Sequence, residues 1–388
     1  MKMRIPIKAI IAGILTFTVI VSVFTAYFLK ENLFGVDINT LRKLSVIDEI
    51  IRNDYYYAYD DAVISDAVAE GYVKGLGDSH SAYYSSDKSL VQINKQKGKS
   101  YGIGISAVNC NTDDIYVWRV YKGSVAEMSG IKPQDIIVKI NGKHLKKIGF
   151  ANAVEMISGA KKQKLKLSVL RNKKETEISV TTCENEVQSV FYRYIDKKTG
   201  VIEITSFNDK TYLQFLAAIK EFEEEKIKNV ILDLRHNGGG TVSSAAKILD
   251  ILLPECPTVK IKLKDGKIKV RNRSDEKHSK LNFKILCDGK TASAAEIFIS
   301  AMRDYSNTSV YGEKTYGKSV IQRSYDLYDG SRIKITIAEF VDKHGNSFNK
   351  KGILPDVDLS DKMPDDYGFY FMTDKNDAVL AQAIKDFQ

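Results

Sequence analysis

Lys318 stands in GEKTYGKSVIQ (312–322), a stretch whose residue types fit two chemistries. Gly312, Gly317, Lys318 and Ser319 satisfy the G-x-x-x-x-G-K-[ST] pattern that cradles nucleotide phosphates. A lysine relieved of its proton is alternatively a catalytic base. A phosphate loop needs a long helix directly behind it, because the helix N-terminus supplies free amides and positive dipole. Behind Ser319 the chain reads VIQRSYDLYDGSRIKITIAEF, two alternating runs about Asp329-Gly330, which is the pattern of a hairpin. Nucleotide is therefore not expected as a partner, and the base reading is kept.

A base needs a nucleophile to act on. In KTASAAEIFISAMRDY (290–305), Ser293 and Glu296 read as a capping box at the start of a helix. The same geometry favours a reactive serine, since the Ala294 N–H points at any anionic oxygen that forms beside it. A third segment, VILDLRHNGGGTVSSAAKILDILL (230–253), is strand, glycine turn and helix, so Asn237 to Gly240 expose amides without side-chain obstruction. An anion or oxyanion pocket is the sharper reading of three consecutive glycines. His236 adjoins that turn and keeps a Ser-His-Asp arrangement open as the competing enzyme apparatus.

These segments must be positioned by a larger frame. The chain has 388 residues and is 44% apolar, enough for two or three packed domains of ~150 residues each. Lys2, Arg4 and Lys8 precede an uncharged run from Ala9 to Leu29. As a helix at ~1.5 Å per residue it is ~31 Å long, the thickness of a bilayer's hydrocarbon core. No A-x-A-like cleavage site lies near Ser22 to Tyr27, so 9–29 is expected to be an uncleaved transmembrane signal anchor. With the positive charges ahead of the span, residues 1–8 should stay cytoplasmic and the rest of the chain should lie on the extracytoplasmic side of the cell membrane.

Residues 36–97 form a small helical region, in which Leu41, Leu44, Ile47, Ile50 and Ile51 recur at helical spacing and Ala67, Val73 and Leu76 continue it. The polar passage 85–100 reads as a linker. Across 98–183 the period changes: YGIGISAV, DIYVWRVY, DIIVKING, KLKLSVLR and ETEISVTT alternate as strands, with short helical pieces at 124–129 and 150–158. From 186 to 388 strands and helices alternate, which implies a mixed or parallel sheet covered by helices. Its last amphipathic stretch, 376–387, either packs on its own domain or meets a second copy in a homodimer.

Several function classes are disfavoured. The four cysteines form no CxxC pair and the five histidines no HExxH, so neither a metal nor a cofactor is expected, and the cysteines read as free thiols. The net charge of +9 is partly concentrated in VKIKLKDGKIKVRNR (259–273), a hairpin about Asp265-Gly266 whose lysines make one wet face. No interleaved aromatics accompany it, and nucleic acid is not expected as a partner.

Taken in order, the motifs resemble the carboxyl-terminal processing peptidases, or tail-specific proteases, over nearly the whole chain after the anchor. GLGDSHSAYYS (75–85) is similar to the end of that family's N-terminal helical region, and YGIGISAV through SVAEMSGIKPQDIIVKINGK to its PDZ domain. VIEITSF, LDLRHNGGG, TASAAEIFISAMRDY, GEKTYGKSVIQ and KKGILPDV succeed one another in the family's order. The resemblance implies a multidomain α/β fold: anchor, helical segment, PDZ domain and a crotonase-like α/β serine peptidase core. It implies Ser293 as nucleophile, Lys318 as general base and Gln322 as the group that orients the lysine. Gly239 and Ala294 would supply the oxyanion hole, with the choice among the three glycines open by one position, and Asp304 and Glu296 would support. Tyr101, Gly102, Ile103 and Gly104 would offer amides to the terminal carboxylate of a protein substrate, whose tail adds as a strand. TASAAE in place of a serine-rich version, and His236 with a third glycine in place of Asn-Pro, are departures that remove no required group. A membrane-tethered peptide-binding scaffold with an inactive core is the alternative from another class.

The lysine assignment makes physical demands. An ordinary lysine, with a pKa of ~10.4, is almost wholly protonated near neutrality, and burial must bring it down before it can accept a serine's proton. Tyr316, Val320 and Ile321 are suitable apolar neighbours for this, although the sequence does not fix where they point. Lys318 and Gln322 would be ~13 Å apart on a straight strand and ~6 Å apart on a helical turn, so a bend or a single turn after Lys318, and not a straight strand, is expected.

Overall fold

The computed structural model describes residues 15–23, 37–109, 112–158, 162–365 and 368–387. Most of the expected anchor, 9–29, lies outside the described residues; its described part, 15–23, is helical and exposed. Among the described residues no helix is long and apolar enough to cross a membrane. The chain divides into a unit up to Ala67 and a unit from Val68 to the end. The first contains the helix Ile38–Asp54, capped by the Asp37 carboxylate on the Thr40 N–H.

In the second unit the C-terminal core is a six-stranded sheet in the order Val190–Tyr194, Thr199–Ile204, Asn229–Asp233, Asn282–Cys287, Ser309–Gly312, Val357–Asp358. Only the first pair is antiparallel. The period-two alternation of a strand explains its two faces. Ile202, Val230, Leu232 and Ile285 pack under the helices Thr211–Glu224, Val242–Leu252 and Ala294–Ser306, with Phe215, Phe222 and Phe298 fully buried. Burying each of those rings contributes about 1.5–3 kcal/mol. Val201, Ile231 and Leu286 face the other way, onto Val379, Leu380 and Ala383 of the helix Ala378–Lys385. The C-terminal helix thus packs on its own domain.

A second sheet is built on the long strand Arg332–Val341. Val320–Asp326 pairs along one edge of it, making the expected hairpin about Asp329-Gly330. Val259–Leu263 joins the opposite edge and carries Ile268–Asn272 beyond it, which is the basic hairpin. Two expectations fail nearby. Residues 85–100 are not an open linker but hold the helix Ser86–Gln96, started by Ser85 at the N-cap position with Asp87 in the first turn. Just before it, inside the stretch expected to be helical, Ala82–Tyr84 is a short strand paired with Arg332–Lys334, a contact that joins distant parts of the chain.

The β-rich module has the strand order Ile105–Asn109, Ile115–Val120, Ile136–Ile140, Lys164–Arg171, Lys174–Thr181, all antiparallel, over a core of Ile115, Val117, Ile137 and Leu167. The helix-like pieces fall at Val125–Met128 and Phe150–Ser158. Cys183, Cys256 and Cys287 are free thiols, the latter two buried; Cys110 lies outside the described residues.

Candidate active site

The strand Asn229–Asp233 ends in the buried Asp233 carboxylate and runs into the glycine turn. Arg235 is clamped there between Asp233 (2.6–2.9 Å) and Asp377 (2.6 and 3.1 Å), with its guanidinium almost wholly buried. Desolvation works against the charge, but the two carboxylates outweigh it and raise the arginine's pKa further, so it stays charged. Asp377 also accepts the Leu380 N–H and so caps the C-terminal helix. One ion-pair network therefore ties that helix to the turn.

Beyond Arg235 the turn is held by its backbone. Buried Asn237 donates its side-chain amide to the Ile204 carbonyl at 2.7 Å, and its backbone carbonyl accepts the Ala292 N–H at 2.9 Å. Gly239 has φ of 94°, and a Cβ there would lie 2.8 Å from Ser293 Cβ and 2.9 Å from the Ala294 nitrogen. Gly240 has φ of 142° and presses on the Phe207 carbonyl, which a Cβ would meet at 1.9 Å. Both positions exclude a side chain. The Gly239 N–H, expected as an oxyanion donor, donates instead to Asn237 Oδ1 at 2.8 Å, because the asparagine folds back over its own turn.

Ser293 sits at the N-cap of Ala294–Ser306 with φ of 60° and ψ of −119°, a backbone strain worth about 1–3 kcal/mol for a residue with a side chain. Half-buried Ser293 thus stands in close contact with the glycine turn, with the Ala294 N–H at the open end of the helix. Glu296, fully buried, links this serine to the lysine loop. Its Oε2 accepts the Ser293 N–H and the Lys318 N–H, each at 2.8 Å. Its Oε1 accepts the Thr315 hydroxyl at 2.5 Å and the Gly317 N–H at 2.7 Å. Two nitrogens on one oxygen are separated by no more than the sum of their two bonds, so the backbones of Ser293 and Lys318 are neighbours. GEKTYGKS is followed by a strand and not by a helix, which removes the dipole a phosphate would need.

Burial lowers the Lys318 pKa from the ordinary lysine range and the Lys334 charge adds to this, while Asp78 and Glu296 oppose it. Val320 and Ile321 are buried as expected, but Tyr316 is 63% exposed and walls nothing. Gln322 lies within a strand, with a register irregularity between Ile321 and Gln322 in place of a helical bend. Its amide reaches the Val320 carbonyl (3.2 Å) and the Thr336 hydroxyl (3.4 Å), not the lysine. Asp304 is about 16 Å along the helix from Ser293 at ~1.5 Å per residue. There it accepts the Lys343 N–H at 2.9 Å, so the structure keeps it away from the serine. His236 faces Asp288 with Nδ1 (2.7 Å), meets Lys290 with Nε2 (3.2 Å) and stacks on Phe369. The nitrogen that a Ser-His-Asp mechanism would use is turned to a lysine, which counts against that arrangement. Sequence reasoning missed Thr315, whose hydroxyl joins Glu296 to the Ile353 N–H.

In the β-rich module, Tyr101, Gly102, Ile103 and Gly104 line a cavity of about 160 Å³ together with Val154 and Ile157. Ile105–Asn109, the next strand, ends its sheet and, among the described residues, has Ile115–Val120 as its strand partner. The module meets the core through Arg119, which bonds Glu203 at 2.5 Å and lies between the Trp118 and Phe191 rings, 4.1 and 3.8 Å from their centroids. Beside this contact is a cavity of about 480 Å³ that reaches Asp233, Arg235 and Asp377.

A mostly parallel-sheet core with a strained helix-cap serine, joined to an antiparallel β module, is the arrangement of a serine peptidase with an attached PDZ domain. Residues 198–359 match the profile of peptidase family S41, and residues 90–170 match that of the PDZ domain. The CtpA-like serine protease of Staphylococcus aureus strain COL is 32% identical over 358 residues, covering 90% of this chain and 72% of that protein. The chain belongs to peptidase family S41. Its fold is like that of the photosystem II D1 C-terminal processing protease (TM-score 0.51, 20% identity, 87% of this chain and 91% of that one). It is also like an S41 protease from Bacteroides fragilis NCTC 9343 (TM-score 0.60, 17% identity, 91% and 98%).

Proposed function

We propose that this chain is a membrane-anchored, extracytoplasmic endopeptidase of the C-terminal processing type, in which Ser293 attacks the peptide carbonyl and Lys318 takes its proton. The observation that carries this reading is the Glu296 carboxylate, which holds the Ser293 and Lys318 backbones on one oxygen. The Ser293 hydroxyl proton passes to the Lys318 amine as the oxygen bonds to carbon, and the carbonyl oxygen becomes an anion. The Ala294 N–H, at the positive end of its helix, meets that anion. Gly239 is the second donor once its N–H leaves Asn237, with Gly238 as the neighbouring choice. The lysine returns the proton to the departing amine, and water then cleaves the acyl-serine by the same route in reverse. Gln322 orients the lysine in the substrate-bound state.

The PDZ domain receives the substrate's C-terminal tail at Tyr101 to Gly104, with the chain added alongside the strand that ends its sheet, Ile105–Asn109. Arg119 is the support for regulation, because it couples this module to the strand that carries Glu203. Anchoring rests on the uncharged run 9–29 behind Lys2, Arg4 and Lys8. The test is cleavage of a tailed reporter by the full chain. Ser293→Ala and Lys318→Ala are each expected to lower turnover by about 10³-fold or more, and Ser293→Ala to abolish labelling by a serine-directed phosphonate. Persistent turnover in Lys318→Ala would remove the lysine from the mechanism.

A further inference from the structure

Tyr116 and Trp118 flank Val117 on the strand Ile115–Val120, and Val117 is fully buried in the core of the β module. Side chains alternate along a strand, so the two rings point away from that core. A turn far along the chain packs on them: Gly368–Phe371, which carries three aromatic residues in succession. Phe371 lies on Tyr116 with ring centroids 4.8 Å apart, and Tyr370 meets the Trp118 ring edge-on at 5.0 Å. Phe369 reaches both sides. Its ring is 6.0 Å from that of Trp118 and stacks on the His236 imidazole at 3.8 Å, with the planes 18° apart.

His236 is the first step of a bonded path to the serine. Its φ is 60°, a left-handed backbone that is uncommon in a residue with a side chain and has to be held from outside. Phe369 holds the ring from one side. From the other, Asp288 Oδ2 accepts the His236 N–H at 2.9 Å and stands 2.7 Å from Nδ1. Asp288 Oδ1 accepts the N–H groups of Lys290 and Thr291, at 3.0 and 2.9 Å. Thr291 is two residues ahead of Ser293, and the Ala292 N–H between them donates to the Asn237 carbonyl in the glycine turn. One carboxylate therefore fixes both the histidine and the chain that leads into the serine.

We propose that the Gly368–Phe371 turn joins the β module to the serine loop, with Phe369 and His236 as positioning residues: the stacked pair sets Asp288, and Asp288 sets how Ser293 meets the glycine turn. This rests on the reading of Ser293 as the nucleophile, and it gives the PDZ domain a route to that residue. Neither ring needs to touch substrate, because both act through Asp288 on a serine whose own backbone is strained. A shift of the strand Ile115–Val120 presses Trp118 on Phe369, and the stack carries the shift to the turn.

The measurement is a double-mutant cycle on the full chain, read as kcat and KM for a tailed reporter. Trp118→Ala and His236→Ala are each expected to lower kcat about 10-fold with KM within about 2-fold, because a misplaced serine weakens the transition state and not tail binding. Both residues act through Phe369, so the double variant should lose about 10-fold in all, where independent sites would lose about 100-fold. Phe369→Ala should match the double variant, and Phe369→Tyr, which keeps the ring, should hold kcat near that of the wild type. Losses that multiply overturn the proposal, and so does a kcat that stays near wild type in the single variants, whatever the thermal midpoint does. If Phe369→Ala fails to fold, the Trp118–His236 cycle decides. Ser293→Ala separates the two layers. Turnover that persists there sinks the nucleophile itself; turnover lost there, with losses that multiply along the path, sinks the coupling and keeps the nucleophile.

Discussion

On the serine side of the site, the turn from Asp233 to Gly240 is fixed several times over: a buried arginine between two carboxylates, a buried asparagine, and glycines pressed against backbone. On the lysine side, Lys318 is half-buried, Tyr316 faces solvent, and Gln322 is committed to its own hairpin. Among the described residues no hydrogen bond joins the Lys318 amine to Ser293 or to Gln322. The two sides share one carboxylate. The contrast teaches that the proposed nucleophile is built into the core, while the proposed proton acceptor stands just ahead of a strand that runs out into solvent.

The comparison breaks most completely at its shared point. Glu296→Ala leaves four donors without their acceptor in a buried site, and we expect a loss of about 3–5 kcal/mol together with most of the turnover. Thermal unfolding beside a cleavage assay checks both. A variant with an unchanged midpoint and full activity would mean that the two sides are held together by something else. Asp377→Ala touches only the serine side. Arg235 keeps Asp233, so the cost should be smaller, about 2–3 kcal/mol, seen as a lower urea midpoint at unchanged slope. Turnover should fall as the turn loosens. If stability falls and turnover does not, the rigidity of the serine side serves folding and not catalysis.

The same contrast governs what could be read from the sequence. The serine side is a run of local signals: a β-branched strand, three glycines, a capping serine with its glutamate. Each is a short-range consequence of backbone geometry, and the strand, turn and helix appear where those signals put them. The lysine side depends on partners far along the chain. Ala82–Tyr84 is too short to announce itself and becomes a strand only because Arg332–Lys334 is beside it. The Ser81 bond to the Thr336 N–H has the same origin, and the GDSHS motif is its trace in the sequence. Residues 85–100 resemble a linker because charge dominates their composition, although Ser85 and Asp87 carry a helix start. Even on the serine side one detail is hidden. Whether the Gly239 N–H points outward or at Asn237 depends on a side-chain torsion that glycine spacing does not encode.

Gln322 offers the smallest effect and the finest discrimination. Its amide spans Val320 and Thr336 at distances of 3.2 and 3.4 Å, weak bonds in a half-buried setting, so Gln322→Ala should cost less than about 1 kcal/mol of stability. An orienting role confined to the substrate-bound state would appear as a lower kcat with KM nearly unchanged, because only the transition state loses an interaction. Gln322→Glu tests the same point through charge: a carboxylate beside the amine would favour the ammonium and move the acidic limb of the profile upward. A kcat that is indifferent to Gln322→Ala would instead assign this side chain to the hairpin alone, and the lysine would then take its orientation from the backbone bond to Glu296.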